Sequence, residues 1–168
     1  MRDCNWKRRR GAAAALAALL LAAASGSAPA WAGSPFAGLE GAWSGEGSAR
    51  LTDGSTTPLK CRATYAVSGG GDHVDQALDC ASERQTFAFR IALDQTNGAI
   101  LGNWRELTRQ VQGGVEGQAG PGRIQLAARG QGFSAQATVV TRGGRQTLAI
   151  ASSGGGFSSA SIALRRGR

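Results

Sequence analysis

The residues able to do chemistry are few and mostly isolated. The only histidine is His73, set in a Gly-Asp-His run. It has no C-x-x-C or H-x-x-x-H partner spacing around it, so a metal site is not expected, and a solvated loop histidine is the simpler reading. Asp72, Asp75, Asp79 and Glu83 fall in one hairpin region, but without the ligand order of a calcium loop they read as a solvated acidic edge. Ser44 lacks a G-x-S-x-G elbow. Gly45-Glu-Gly47 does not continue to G-x-G-x-x-G, because Arg50 stands at the third glycine position. Glu106 shares strand parity with Trp104 and Ile100; if that face points inward, its carboxylate needs a partner. No catalytic residue, metal or cofactor is therefore expected, and the chain does not read as an enzyme.

Two cysteines do have a chemistry. Arg8, Arg9 and Arg10 close a basic head, an uncharged Ala/Leu run follows, and Ala30-Trp31-Ala32 has the A-x-A form of a cleavage site. Residues 1–32 thus read as a secretory signal peptide, directing the chain to the periplasm or outside the cell. The apolar run is too short for a stable membrane span. Cys4 leaves with the leader, and Cys61 and Cys80 remain as an even pair in an exported chain, which predicts one disulfide.

The full chain carries 19 Lys+Arg against 11 Asp+Glu, net +8. Half of that excess belongs to the leader. A modest charge spread along the mature part gives little reason to expect nucleic acid as a partner.

The elements that position these residues are strands. Phe87, Phe89, Ile91 and Leu93 alternate with Ala88, Arg90 and Ala92. Leu59, Cys61, Ala63, Tyr65 and Val67 share one face, and Phe133, Ala135, Ala137 and Val139 another. Period two with apolar residues on one side is the mark of a half-buried strand. Turn clusters such as Asp53-Gly54, Asn97-Gly98 and Gly143-Gly144 separate the runs at hairpin spacing. Strands are predicted at 42–52, 58–67, 74–81, 84–93, 98–107, 110–118, 122–129, 132–141, 145–152 and 158–166. The Gly-rich stretch 112–122 has a mobile loop as its alternative. Every connection is hairpin-sized, which leaves no room for a parallel crossover. The expected fold is an all-β antiparallel up-and-down meander of eight to ten strands closing into a barrel, with a two-sheet sandwich as alternative. Residues 33–40 read as an N-terminal linker and 41–168 as one barrel domain.

In a closed barrel the first and last strands pair. Gly41-Ala42-Trp43 and Arg165-Arg166 then meet, and the parity of Ile162 and Leu164 selects Arg166 to lie over the Trp43 indole. This combination resembles the calycin group of lipocalins, fatty-acid-binding proteins and avidins. The resemblance implies a barrel that holds a small ligand. A second resemblance rests on Leu39-Glu-Gly-Ala-Trp43, Cys61-Arg-Ala-Thr-Tyr65, Cys80-Ala-Ser82, Gly102-Asn-Trp-Arg-Glu106 and Gly132-Phe-Ser-Ala135. These are similar to a family of small uncharacterised exported proteins of Gram-negative bacteria, which implies export but no activity. Small periplasmic inhibitors of secreted metalloproteases, also one-disulfide barrels, are a more distant likeness.

Two functions follow as expectations. In the first, Trp43, Tyr65, Phe87, Phe89, Trp104 and Phe133 line a cavity for a small apolar ligand, with Gly45, Gly47, Ala63 and Ala135 leaving it room. In the second, the same aromatics fill the barrel, and the chain acts through its loops on another envelope protein, as an inhibitor-type module would. The interior volume separates them.

Overall fold

The computed structural model describes residues 34–167, so the leader expected over 1–32 lies outside the described residues. Ten strands follow one another: β1 Gly41–Leu51, β2 Thr56–Ser68, β3 His73–Ala81, β4 Thr86–Thr96, β5 Ala99–Glu106, β6 Val111–Gly120, β7 Arg123–Gly130, β8 Phe133–Arg142, β9 Arg145–Ser153 and β10 Phe157–Arg166. Each pairs antiparallel with the next, and β10 pairs with β1 to close a barrel. The closed barrel leaves the sandwich alternative aside. The Gly-rich stretch 112–122, for which a mobile loop is the alternative, is strand as far as Gly120, paired as β6 between β5 and β7, and only residues 121–122 turn. Among the described residues no helix is long and apolar enough to cross a membrane.

Alternation sets the inside and the outside. Leu59, Cys61, Ala63 and Tyr65 are buried while Lys60, Arg62 and Thr64 are exposed, as the period-two pattern requires. Cys61 stands opposite Cys80 across β2 and β3 and is bonded to it, closing a loop of sequence separation 19. Gly45 and Gly47 share the inward parity of Trp43, but they do not leave free volume. A Cβ on either would collide with the β10 backbone at Ala163 O or Ser161 O. Their role is to let β1 and β10 approach closely where the sheet curls shut.

The segment before β1 is not a loose connection. Residues 35–39 form a turn, and Phe36 and Leu39 are buried in the same core as the strands. From Ser34 onward, the stretch read as a linker is packed as a plug across one end of the barrel. That end is formed by the start of β1, the end of β2, the start of β3 and the end of β10.

Candidate functional site

The two ends of the barrel are built from different residues. At the plugged end, the Trp43 ring lies edge-on to Tyr65 at 6.2 Å, and its Nε1 donates to Leu39 O at 2.8 Å. Trp43 and Arg166 are register partners, and the guanidinium lies over the indole, 4.9 Å from its centroid. Arg166 also donates to Gly38 O, which ties the last strand to the N-terminal turn. Tyr65 Oη donates to Gln146 Oε1 at 2.6 Å and accepts from Gln76 Nε2 at 3.0 Å. Burial pushes the phenol far above its ordinary pKa, so it stays neutral. Phe36, Trp43, Val74, Ile100, Gln146 and Leu164, among the most deeply buried side chains, all belong to this end.

The opposite end is a mouth. Phe87, Phe89, Trp104, Phe133 and Phe157 converge there from β4, β5, β8 and β10. Trp104 and Phe133 lie 4.9 Å apart, Phe89 lies 6.4 Å from Trp104, and Phe87 meets Phe157 edge-on at 5.8 Å. Together with Glu106, Arg109 and the Gly154–Gly156 turn they surround a depression of about 310 Å³. Below it an apolar bore of about 120 Å³ runs inward and shares the same five aromatic residues. Its walls include Ala128, Ala135, Ala137 and Ala160, whose short side chains do not reach across a ten-stranded barrel. Phe89, Ile91, Leu126, Phe133, Val139 and Ile150 line this bore and are only half-buried although they sit on the inner face.

The polar groups of the mouth are accounted for. Glu106 is 2% exposed. Its carboxylate accepts from the backbone N–H of Ala88 at 3.0 Å, Thr108 at 3.1 Å and Arg109 at 2.6 Å. Burial raises its pKa, but the amides of Ala88, Arg109 and Thr108 outweigh burial and hold it below the ordinary value. Glu106 is thus the anion that folds the β5–β6 turn, and the partner its parity called for is backbone. Arg109 lies 3.7 Å from that carboxylate and stacks 4.8 Å over Phe87. The Arg109 guanidinium therefore stands at the rim beside a buried anion.

Of the six aromatic residues expected to line a cavity, Phe87, Phe89, Trp104 and Phe133 do so. Trp43 and Tyr65 are built into the plug and line neither the bore nor the mouth. Phe157 belongs to the site and was hidden by parity. The register slips between Arg50 and Leu51, which pair with Ser159 and Phe157, so Ser158 is a bulge residue that turns Phe157 inward. Arg109, in a turn, had no periodic signal at all.

His73 is not a free loop histidine. It opens β3 with Nδ1 2.7 Å from Asp94 and Nε2 3.2 Å from Asp75. Asp72 is taken by Ser34, whose Oγ donates at 2.7 Å, and by Gln95. Among the described residues no group of three or more His, Cys, Asp or Glu side chains could hold a metal ion.

By sequence the chain matches no protein-family model and no curated protein. By structure it is similar to Rv2717c from M. tuberculosis, with a TM-score of 0.63 and 11% identity over 80% of this chain and 94% of that one. It is also similar to the S-type phycobiliprotein lyase CPES from Guillardia theta, with a TM-score of 0.59 and 8% identity over 77% of this chain and 88% of that one. At such identities what is shared is the calycin-like barrel.

Proposed function

We propose that this chain is an exported binding protein that takes a small, mostly apolar ligand through the aromatic mouth and performs no reaction on it. The observation that carries this reading is the half-burial of inward-facing Phe89, Ile91, Leu126, Phe133, Val139 and Ile150 around an unfilled bore. A filled barrel would bury them. The bore alone, at about 120 Å³, is smaller than the roughly 300 Å³ of an ordinary ligand pocket, so the ligand's bulk sits in the mouth and only a slim apolar part descends. Five aromatic rings favour a flat ligand that can stack. The leader pattern at residues 8–32 and the resemblance to small exported bacterial proteins support export. The barrel shared with a phycobiliprotein lyase supports the shape and leaves the ligand to be found.

Native mass spectrometry of protein purified from the envelope of its own host tests this directly. A co-purifying small molecule that disappears in Phe133→Ala is the expected result. Trp43→Phe leaves Trp104 as the sole tryptophan of the mature chain, and its fluorescence should respond to apolar dyes. A bare mass together with a silent Trp104 would favour the second reading, an envelope interaction module. That reading has one observation of its own, Leu101 lying 68% exposed on the outer wall of β5.

A further inference from the structure

The outer wall near the plugged end carries a row of arginines. Arg142 of β8 stands directly opposite Arg145 of β9, and Arg145 directly opposite Arg165 of β10. The row continues through Ser44 of β1, which faces Arg165 on one side and Arg62 of β2 on the other. Residues in direct register share a face, and all of these are exposed. Adjacent strands lie about 4.8 Å apart, so the first three arginines span roughly 10 Å of sheet. Like charges directly opposite one another weaken a sheet. Arg90, Arg109 and Arg129 each have an acidic partner, Asp79, Glu106 and Glu116. Arg62, Arg142, Arg145 and Arg165 make no ion pair with any described residue. Two carboxylates adjoin the row. Glu46 lies two residues along β1 from Ser44, and Asp79, opposite Arg62, is engaged by Arg90 at 2.8 Å.

We infer that this row is a docking surface for anionic lipid headgroups. It lies on the convex outside of a barrel, and the outer-wall depressions at Ser161 and at Thr64 take in none of the row's arginines. The residues interspersed on that face are small or polar, such as Thr147, Ala163 and Ser161, and no aromatic stands among the arginines to stack a base. A planar array of phosphates asks only for a matching array of charge. Docking there leaves the mouth free, because Phe157 and Arg165 lie at opposite ends of β10, roughly 25 Å apart along the strand. The inference is independent of whether the mouth holds a ligand.

Co-sedimentation of the mature chain with vesicles tests it. Mixed phosphatidylglycerol and phosphatidylcholine vesicles should retain the protein at low salt, and phosphatidylcholine vesicles should not. The triple variant R142Q/R145Q/R165Q should lose roughly a hundredfold in partitioning, taking each arginine near an anionic surface at its usual contribution. R50Q/R84Q/R105Q removes the same charge from other exposed positions and should lose much less. A thermal melt of the ladder variant, expected unchanged or raised once like charges are gone, shows that the fold is kept. Equal losses in the two triple variants would mean net charge alone, and overturn the site. So would failure to bind anionic vesicles, including the case where a soluble polyanion is held instead.

Discussion

The plugged end and the mouth are made by the same ten strands, yet one is closed and the other is open. Each end has a tryptophan whose indole N–H donates to a backbone carbonyl, Trp43 to Leu39 and Trp104 to Arg129, and an arginine laid over an aromatic ring; what the plug adds is a covering turn that buries Phe36 and Leu39. At the mouth the connections are short, the aromatic rings lean on one another, Arg109 lies over Phe87, and among the described residues no apolar turn is packed across Phe89 and Phe133, which stay half-buried. The mouth half has a covalent staple in place of a plug, since Cys80 lines the bore opposite Phe87. Closing a barrel sideways thus does not fill it lengthwise. The ends are decided by the few residues outside the strands.

If this contrast holds, truncation should cost far more at the plug. Trp43→Ala should lose about 3–5 kcal/mol, because a buried indole leaves a cavity and an orphaned Leu39 carbonyl. Phe133→Ala, on a half-buried ring, should lose about 1–2 kcal/mol while removing ligand retention. Urea unfolding measures both. Equal losses would mean that the mouth is as tightly packed as the plug.

Removal of the disulfide comes next. Changing Cys61 and Cys80 together to Ala should cost about 2–4 kcal/mol. Hydrogen exchange should show the loosening around β2, β3 and the mouth before it reaches β1 and β10. Opening spread evenly from end to end would deny the staple its local role.

Filling the bore sharpens the comparison from the other side. Ala137→Leu places a larger side chain into the void, and the protein should gain about 0.5–2 kcal/mol or stay level, as cavity-filling changes do. Ligand retention should fall. A marked loss of stability would show that the bore has no room to give.

Arg166→Ala should cost about 1 kcal/mol, through lost stacking and packing on Trp43. In a double-mutant cycle with Trp43→Ala the two losses should not add, with a coupling of about 0.5 kcal/mol or more. Independent losses would mean that the cation merely sits near the ring.

Most of this fold was legible because the sheet is regular. Period two placed Phe87, Phe89, Trp104 and Phe133 on the inner face, and hairpin-length turns forced neighbour-to-neighbour pairing. The parity of Ile162 and Leu164 correctly chose Arg166 over Arg165. The failures occur where periodicity stops. Phe36 and Leu39 precede the first strand, so no alternation announced that they are core. The bulge at Ser158 reversed the parity of Phe157. Gly45 and Gly47 looked like room for a ligand because their size was visible and the close approach of β10 was not. Trp43 and Tyr65 are inward as parity requires, but alternation says nothing about depth along the barrel, and depth decides whether an inward ring lines a bore or plugs it.

The smallest effect concerns His73, beside the strand start that supports the plug. Hydrogen bonds to Asp94 and Asp75 raise its pKa above the ordinary histidine value, against a weak opposing effect of burial. The doubly protonated ring can donate to both carboxylates at once. A raised folded-state pKa means that the contribution to stability is fully present below about pH 6.5, the unfolded value, and fades as pH rises through the folded value. The pair is open to water, so the energetic effect is small and the titration itself is the better measure. A proton NMR titration of the imidazole should show a midpoint above 6.5, and Asp94→Asn should bring it down toward that value. His73→Gln should remove the sloping part of the stability profile without unseating the plug, because Ser34 and Gln95 hold Asp72 independently of the histidine. A midpoint that ignores Asp94→Asn would place the proton on Asp75's side alone, or on neither.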